Sequence, residues 1–187
     1  MNVKRSRDIL VICGESGCGK TTIAKYLCNL YGLRKCISHT SREMREGEKN
    51  GVDYFFTDNS TMLEMFYTGN LMEIALYGDS YYGLSKKEFE EKDIAILEPC
   101  GIRCLYESSL KNKVIPIYLK ASESTRVKRM TDRNDPIDKI KSRIANDIEA
   151  FKNIETLVSS FPKHKIINVD NLSPEDICVF VMNILRS

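Results

Sequence analysis

Five consecutive apolar residues, ILVIC at 9–13, open the patterned part of the chain. A β-branched run with no polar face predicts a strand covered on both sides. Beyond a glycine-rich stretch, apolar side chains fall at Ile23, Ala24, Leu27, Leu30 and Tyr31, the spacing of one helix face. Three more buried strands are predicted over 92–98 (KDIAILE), 113–120 (KVIPIYLK) and 164–170 (HKIINVD). Helices are expected from about Ser122, from about Pro136 to Phe151, and after Ser173. The last start is the best marked: Ser173 can cap, Pro174 sits in the first turn, and Glu175 and Asp176 complement the positive helix end. Strands alternating with helices give an α/β fold, a parallel sheet flanked by helices. Residues 40–90 break that rhythm and read as an insertion. It holds a short strand in VDYFFT, a helix from about Asp58 to Tyr67 closed by Gly69, and a strand in LMEIALY. Neither repeats nor linkers interrupt the chain.

Bulk composition narrows the classes. At 187 residues, with 42% apolar and 29% charged residues, the chain fits one soluble globular domain. Its 28 basic and 26 acidic residues leave a net charge of +2, too little to draw it to nucleic acid or to an anionic membrane. Any anion site is therefore local. The N-terminal MNVKRSRD is basic, but the apolar run after it is too short for a signal peptide or a membrane span. Seven cysteines are an odd number, and their one close pair, Cys100 and Cys104, matches neither zinc nor redox spacing. They read as reduced, small apolar residues of a cytoplasmic protein.

Residues 14–21, GESGCGKT, fit G-x-x-x-x-G-K-[ST] at Gly14, Gly19, Lys20 and Thr21. A buried strand precedes them and an amphipathic helix follows. In such a loop glycines let the backbone wrap close, so that its N–H groups point at phosphate oxygens, and the helix start adds positive potential. Lys20 would bridge the outer phosphates of a nucleoside triphosphate, and Thr21 would offer its hydroxyl to Mg²⁺. A second anion-ready stretch lies at 38–57, SHTSREMREGEKNGVDYFFT, with Arg42, Arg45, hydroxyls and two glycines ahead of an aromatic end. Arginine forks match phosphate oxygens. A chain that holds two phosphorylated molecules suits transfer between them.

GESGCGKTT, then SHTSREMREGEKNGVDYFFT, then Glu73 and the YYG at 81–83 resemble guanylate kinases, over a span from about residue 9 to the C-terminus. The second block is longer and more particular than the phosphate-binding loop. The resemblance implies a P-loop core at 1–37 and 92–187, a monophosphate-binding insertion at about 38–91 and a helical lid at about 129–145. It implies ATP as phosphoryl donor, bound by Gly14, Glu15, Ser16, Gly17, Cys18, Gly19, Lys20, Thr21 and Thr22, with Mg²⁺ at Thr21. Ser38, Arg42, Arg45, Tyr54 and Tyr82 would grip the phosphate of GMP or dGMP, and Glu73 would accept hydrogen bonds from the N–H edge of guanine. A buried carboxylate facing two N–H groups rejects adenine, because the wrong base leaves the charge unpaired. Arg129, Arg133 and Arg143 match the lid arginines that neutralise the transferring group. Arg126 matches none of them and is expected on a solvated face. The acceptor phosphate oxygen is already a competent nucleophile, so His39 is not a catalytic candidate.

Two departures bear on base choice. Leu84 stands where the family commonly has a hydroxyl, and ILEPCG offers Glu98 alone where two acids are usual, one on the base and one near the metal; Glu98 can stand for either and is counted with the residues expected to bind GMP. The expected activity is ATP-dependent phosphorylation of GMP and dGMP. The alternatives are a kinase of the same fold with altered base preference (dGMP or a modified purine), a catalytically dead phosphopeptide-binding module, and a small kinase acting on a sugar phosphate. The resemblance allows a monomer or a homodimer.

Overall fold

The computed structural model describes residues 8–77 and 79–186; the N-terminal basic residues Lys4, Arg5 and Arg7 lie outside them. β1 (Ile9–Cys13) leads through the glycine-rich loop into α1 (Lys20–Tyr31), which closes at a left-handed Gly32. The chain then builds β2 (His39–Thr40), β3 (Phe55–Phe56), α2 (Asn59–Tyr67), β4 (Leu71–Tyr77) and β5 (Ser80–Ser85). α3 (Lys86–Glu91), β6 (Ile94–Ile96), α4 (Pro99–Glu107) and β7 (Val114–Lys120) follow. The last third holds α5 (Glu123–Asp132), α6 (Ile137–Ala150), α7 (Ile154–Ser159), β8 (Lys165–Asn168) and α8 (Pro174–Arg186).

The main sheet runs β6-β1-β7-β8, with every pairing parallel. β1 feeds two cores at once. Leu10 and Ile12 pack with Ile23, Leu27, Ile117 and Val181, on the side of α1 and α8. Ile9, Val11 and Cys13 pack with Ile102, Leu105, Tyr118 and Val158, on the side of α4 and α7. A strand covered on both faces has no use for a polar position, which is why ILVIC reads as a continuous run. Each such side chain contributes about 1.5–3 kcal/mol by burial.

A second sheet, β3-β2-β5-β4, is built from residues 39–85 alone. β2 pairs parallel with β3 and antiparallel with β5, and β4 and β5 form an antiparallel hairpin. Periodicity finds β4 but not β5, because SYYGLS puts a glycine where an alternating side chain is needed. α3, α4 and α7 are likewise unmarked: the first and last are 6 residues each, and α4 carries Gly101 inside it. Cys100 and Cys104 differ from the expected small apolar core residues, since both are exposed on α4. No helix among the described residues is long and apolar enough to cross a membrane.

Arg126 corrects the sequence reading. It is not on a solvated face but 6% exposed, and its Nη1 donates to Asp147 Oδ2 at 2.8 Å. Its partner lies 21 residues further along the chain, beyond any local pattern. Removing one member of a buried pair strands the other charge. Arg126→Leu alone is therefore expected to destabilise the protein by about 3–5 kcal/mol, read as a lower urea midpoint at unchanged m-value.

Candidate active site

The loop between β1 and α1 lies flat against the fold, and glycine makes that possible. At Gly14 (φ +153°) a Cβ would stand 2.5 Å from the Leu119 carbonyl oxygen, at the end of β7. At Gly17 (φ +83°) it would stand 2.7 Å from the Arg126 carbonyl oxygen on α5. Side chains then brace the loop from three directions. The Tyr118 hydroxyl donates to Glu15 Oε1 at 2.9 Å, Asp147 Oδ2 accepts from the Ser16 N–H at 2.8 Å, and Arg129 Nη1 donates to the Cys18 carbonyl at 3.0 Å. Of the residues expected to bind ATP, Glu15 and Ser16 are therefore turned onto the protein. Gly17, Gly19 and Lys20 follow along the loop, and Thr21 and Thr22 are exposed at the head of α1.

Lys20 Nζ donates to the carbonyl oxygens of Gly14 and Glu15 and lies 3.9 Å from Glu98 Oε1. Burial alone would lower its pKa, but nearby charges, Glu98 first among them, reverse the shift and leave it raised. The ammonium is held charged where polyphosphate would arrive. Among the described residues no three Asp, Glu, His or Cys side chains converge on a metal. An exposed Thr21 hydroxyl suits a hard cation that takes its other ligands from phosphate and water, as Mg²⁺ does.

Around β2 the structure gathers side chains far apart in sequence. Thr40 pairs with Phe56 on one side and Tyr82 on the other. Arg42 Cζ lies 5.4 Å from the Tyr54 ring centre and 5.5 Å from that of Phe56, and Tyr54 meets Tyr82 edge-on at 6.0 Å. Glu48 holds Arg42 by a bidentate pair at 2.8 and 2.9 Å and accepts from the Arg45 N–H at 2.8 Å. The Arg45 side chain itself is exposed, and the Ser38 carbonyl accepts from the Phe55 N–H at 2.9 Å. Glu48 is a residue that the sequence reading missed; its only signal was an acid in the same loop, six positions past Arg42. His39 packs its ring on Phe55 at 4.8 Å, and burial lowers its pKa.

Glu73, on β4, is 7% exposed and accepts a hydrogen bond from the Leu84 backbone N–H. Burial, opposed by that bond and reinforced by Glu98, raises its pKa to about 7. A cavity of about 50 Å³ beside it is lined by Met72, Leu97, Gly101 and Cys104 among others. Leu84 is 1% exposed and packs in the same core as Cys36, Phe89 and Leu97. Glu98 immediately precedes α4 without a side-chain capping bond, half-exposed and beside Lys20.

The three arginines expected in a lid divide. Arg129 holds the loop and the Val169 carbonyl, while Arg133 and Arg143 both bind Asp135, between α5 and α6. Arg133, and less strongly Arg143 and Arg45, hold the Asp135 carboxyl below its usual range.

The family model for guanylate kinase matches residues 6–186. A guanylate kinase of Legionella pneumophila (strain Lens) is 28% identical over 163 residues, which cover 82% of this chain and 78% of the relative. Another, from Fusobacterium nucleatum subsp. nucleatum, is 31% identical over 153 residues, covering 77% and 81%. The crystal structure of guanylate kinase from Anaplasma phagocytophilum shares the fold, with a TM-score of 0.71 at 24% identity, over 96% of this chain and 85% of that one. With the match running from the first strand to the last helix, this chain belongs to the guanylate kinase family.

Proposed function

We propose that the chain transfers the γ-phosphoryl group of ATP to GMP, and to dGMP, from residues on both sides of one cleft. The observation that carries this reading is the position of Glu98. Its carboxylate lies 3.9 Å from Lys20 Nζ, and α4, which begins just after it, passes Glu73 so closely that a Cβ at Gly101 would stand 3.3 Å from Glu73 Cγ, so one short segment joins the phosphate-binding loop to the buried carboxylate. Arg42, Arg45, Tyr54 and Tyr82, with Ser38 at the edge, would fix the acceptor phosphate, and Glu73 would take the guanine N–H edge. Arg42 arrives preorganised, because Glu48 and two rings already set its plane. Glu98, beside Lys20, belongs to the phosphate end rather than the base.

Phosphoryl transfer needs two oxygens in line and the charge on the moving group neutralised. Lys20 and the backbone amides beyond Ser16 would hold the donor phosphates, and Mg²⁺ at Thr21 would neutralise their charge further. Arg133 and Arg143 would exchange Asp135 for the transferring group as the lid closes and water is excluded. We place the work in the cytoplasm.

A coupled ADP-release assay with ATP and Mg²⁺ against GMP, dGMP, AMP, dAMP, dTMP and CMP tests the reading. Turnover confined to GMP and dGMP is expected, with Glu73 sufficient for guanine without a hydroxyl at position 84. Preference for another base, or no turnover by a protein that still binds a phosphopeptide, would sink it.

A further inference from the structure

We infer that Asp147, held by Arg126, is a positioning residue for the phosphate-binding loop: it fixes the Ser16 amide and ties the loop to both lid helices. Asp147 is 6% exposed and receives three donors. They are Arg126 Nη1 at 2.8 Å, the Ser16 N–H at 2.8 Å and the Ser16 hydroxyl at 3.3 Å. Arg126 stands on α5 three residues before Arg129, and Asp147 stands on α6 four residues after Arg143. One buried contact therefore sets the helical phase of two lid arginines and the conformation of the loop they face. The loop meets α5 here as well, since Gly17 lies against the Arg126 backbone.

Helix packing alone does not call for this pair. A buried ion pair is commonly no better for stability than two apolar side chains of similar volume. This one is also incompletely satisfied, because Arg126 Nε is buried without a hydrogen-bond partner among the described residues. An apolar pair would pack α5 on α6 equally well, but it could not accept from the Ser16 N–H. With that amide taken, the turn in which the Cys18 N–H donates to the Glu15 carbonyl is held in one shape. The amides that follow are then aimed before ATP arrives, and preorganised donors bind more tightly than donors that must be ordered.

The rate consequence rests on the kinase reading, but the binding consequence does not. Three proteins separate the roles: wild type, R126L/D147A and R126L/D147N. Both double variants remove the buried charge, and only the second keeps an oxygen able to accept from the Ser16 N–H. Calorimetric titration with ATP in magnesium buffer is expected to show R126L/D147A binding about tenfold more weakly, the size of one hydrogen bond to a charged group. R126L/D147N is expected to recover most of that loss. The GMP KM should stay within about twofold in both, while kcat/KM for ATP follows ATP affinity. Equal ATP affinity in all three proteins would overturn the inference, and so would equal weakening in the two double variants. Failure of both to fold would reduce the pair to a folding element and overturn it too. A wild type that binds ATP without turning over GMP would sink the kinase reading and leave the binding comparison intact.

Discussion

Lys20→Met lowers kcat about a thousandfold, the scale of losing one preorganised charge at a transition state, while the protein stays folded. The change keeps most of the aliphatic stem and removes only the ammonium. In the free protein that ammonium is spent on the Gly14 and Glu15 carbonyl oxygens and lies 3.9 Å from Glu98. Glu98 is half-exposed, so water can replace its lost partner at little cost to stability. The donor phosphates have no such substitute. ATP affinity falls as well, because the loop loses an internal clamp, but the GMP KM should move little, since Arg42 and its neighbours stand on the other sheet. Steady-state rates at saturating nucleotides, with a thermal melt as control, decide the matter. A Lys20→Met enzyme within tenfold of the wild-type kcat would remove Lys20 from the chemistry.

The core and the donor loop were legible in the sequence because their signals are local. ILVIC must be continuous to serve two cores, and glycines must recur where Gly14 and Gly17 pass under backbone atoms. The meeting of Arg42, Tyr54 and Tyr82 was legible only through resemblance, since Arg42 follows β2, Tyr54 precedes β3 and Tyr82 lies on β5. What escaped were the acids that partner the arginines. Glu48, Asp135 and Asp147 look like any solvated carboxylate, and Asp147 finds Ser16 across 131 positions. Arg126 was misplaced for the same reason. A basic residue in a polar helix signals solvent until its long-range partner is known. Leu84 shows the converse: departure from a family pattern is visible in sequence, whereas its burial beside Phe89 and Leu97 is not.

Glu73→Gln should move activity and stability in opposite directions. Guanine presents two adjacent N–H donors, and an amide can match one with its oxygen but opposes the other with its own NH₂. Mismatching a buried hydrogen-bonding edge is expected to lower kcat/KM for GMP on the order of 10³–10⁴-fold. Stability responds to the desolvated charge instead. Raising the carboxyl from an ordinary 4.5 to about 7 costs the ionised folded state about 3 kcal/mol. Between those two values the folded protein binds more protons than the unfolded chain, so Glu73 makes stability fall as pH rises, most steeply up to about 7. Glutamine removes that penalty. The variant should therefore melt about 5 °C or more above wild type at about pH 8, and the gain should vanish as the pH falls towards about 4.5. The same proton sets a signature in catalysis. With the carboxylate taking the guanine N–H edge as proposed, the wild-type GMP KM should rise as the pH drops below about 7, and the residual activity of Glu73→Gln should lack that dependence. A variant that loses guanine but gains no stability at high pH would mean that Glu73 is ionised and well solvated in the free protein. Retention of GMP activity would instead move base recognition away from β4 altogether, leaving Glu98 as the remaining acid near the cleft.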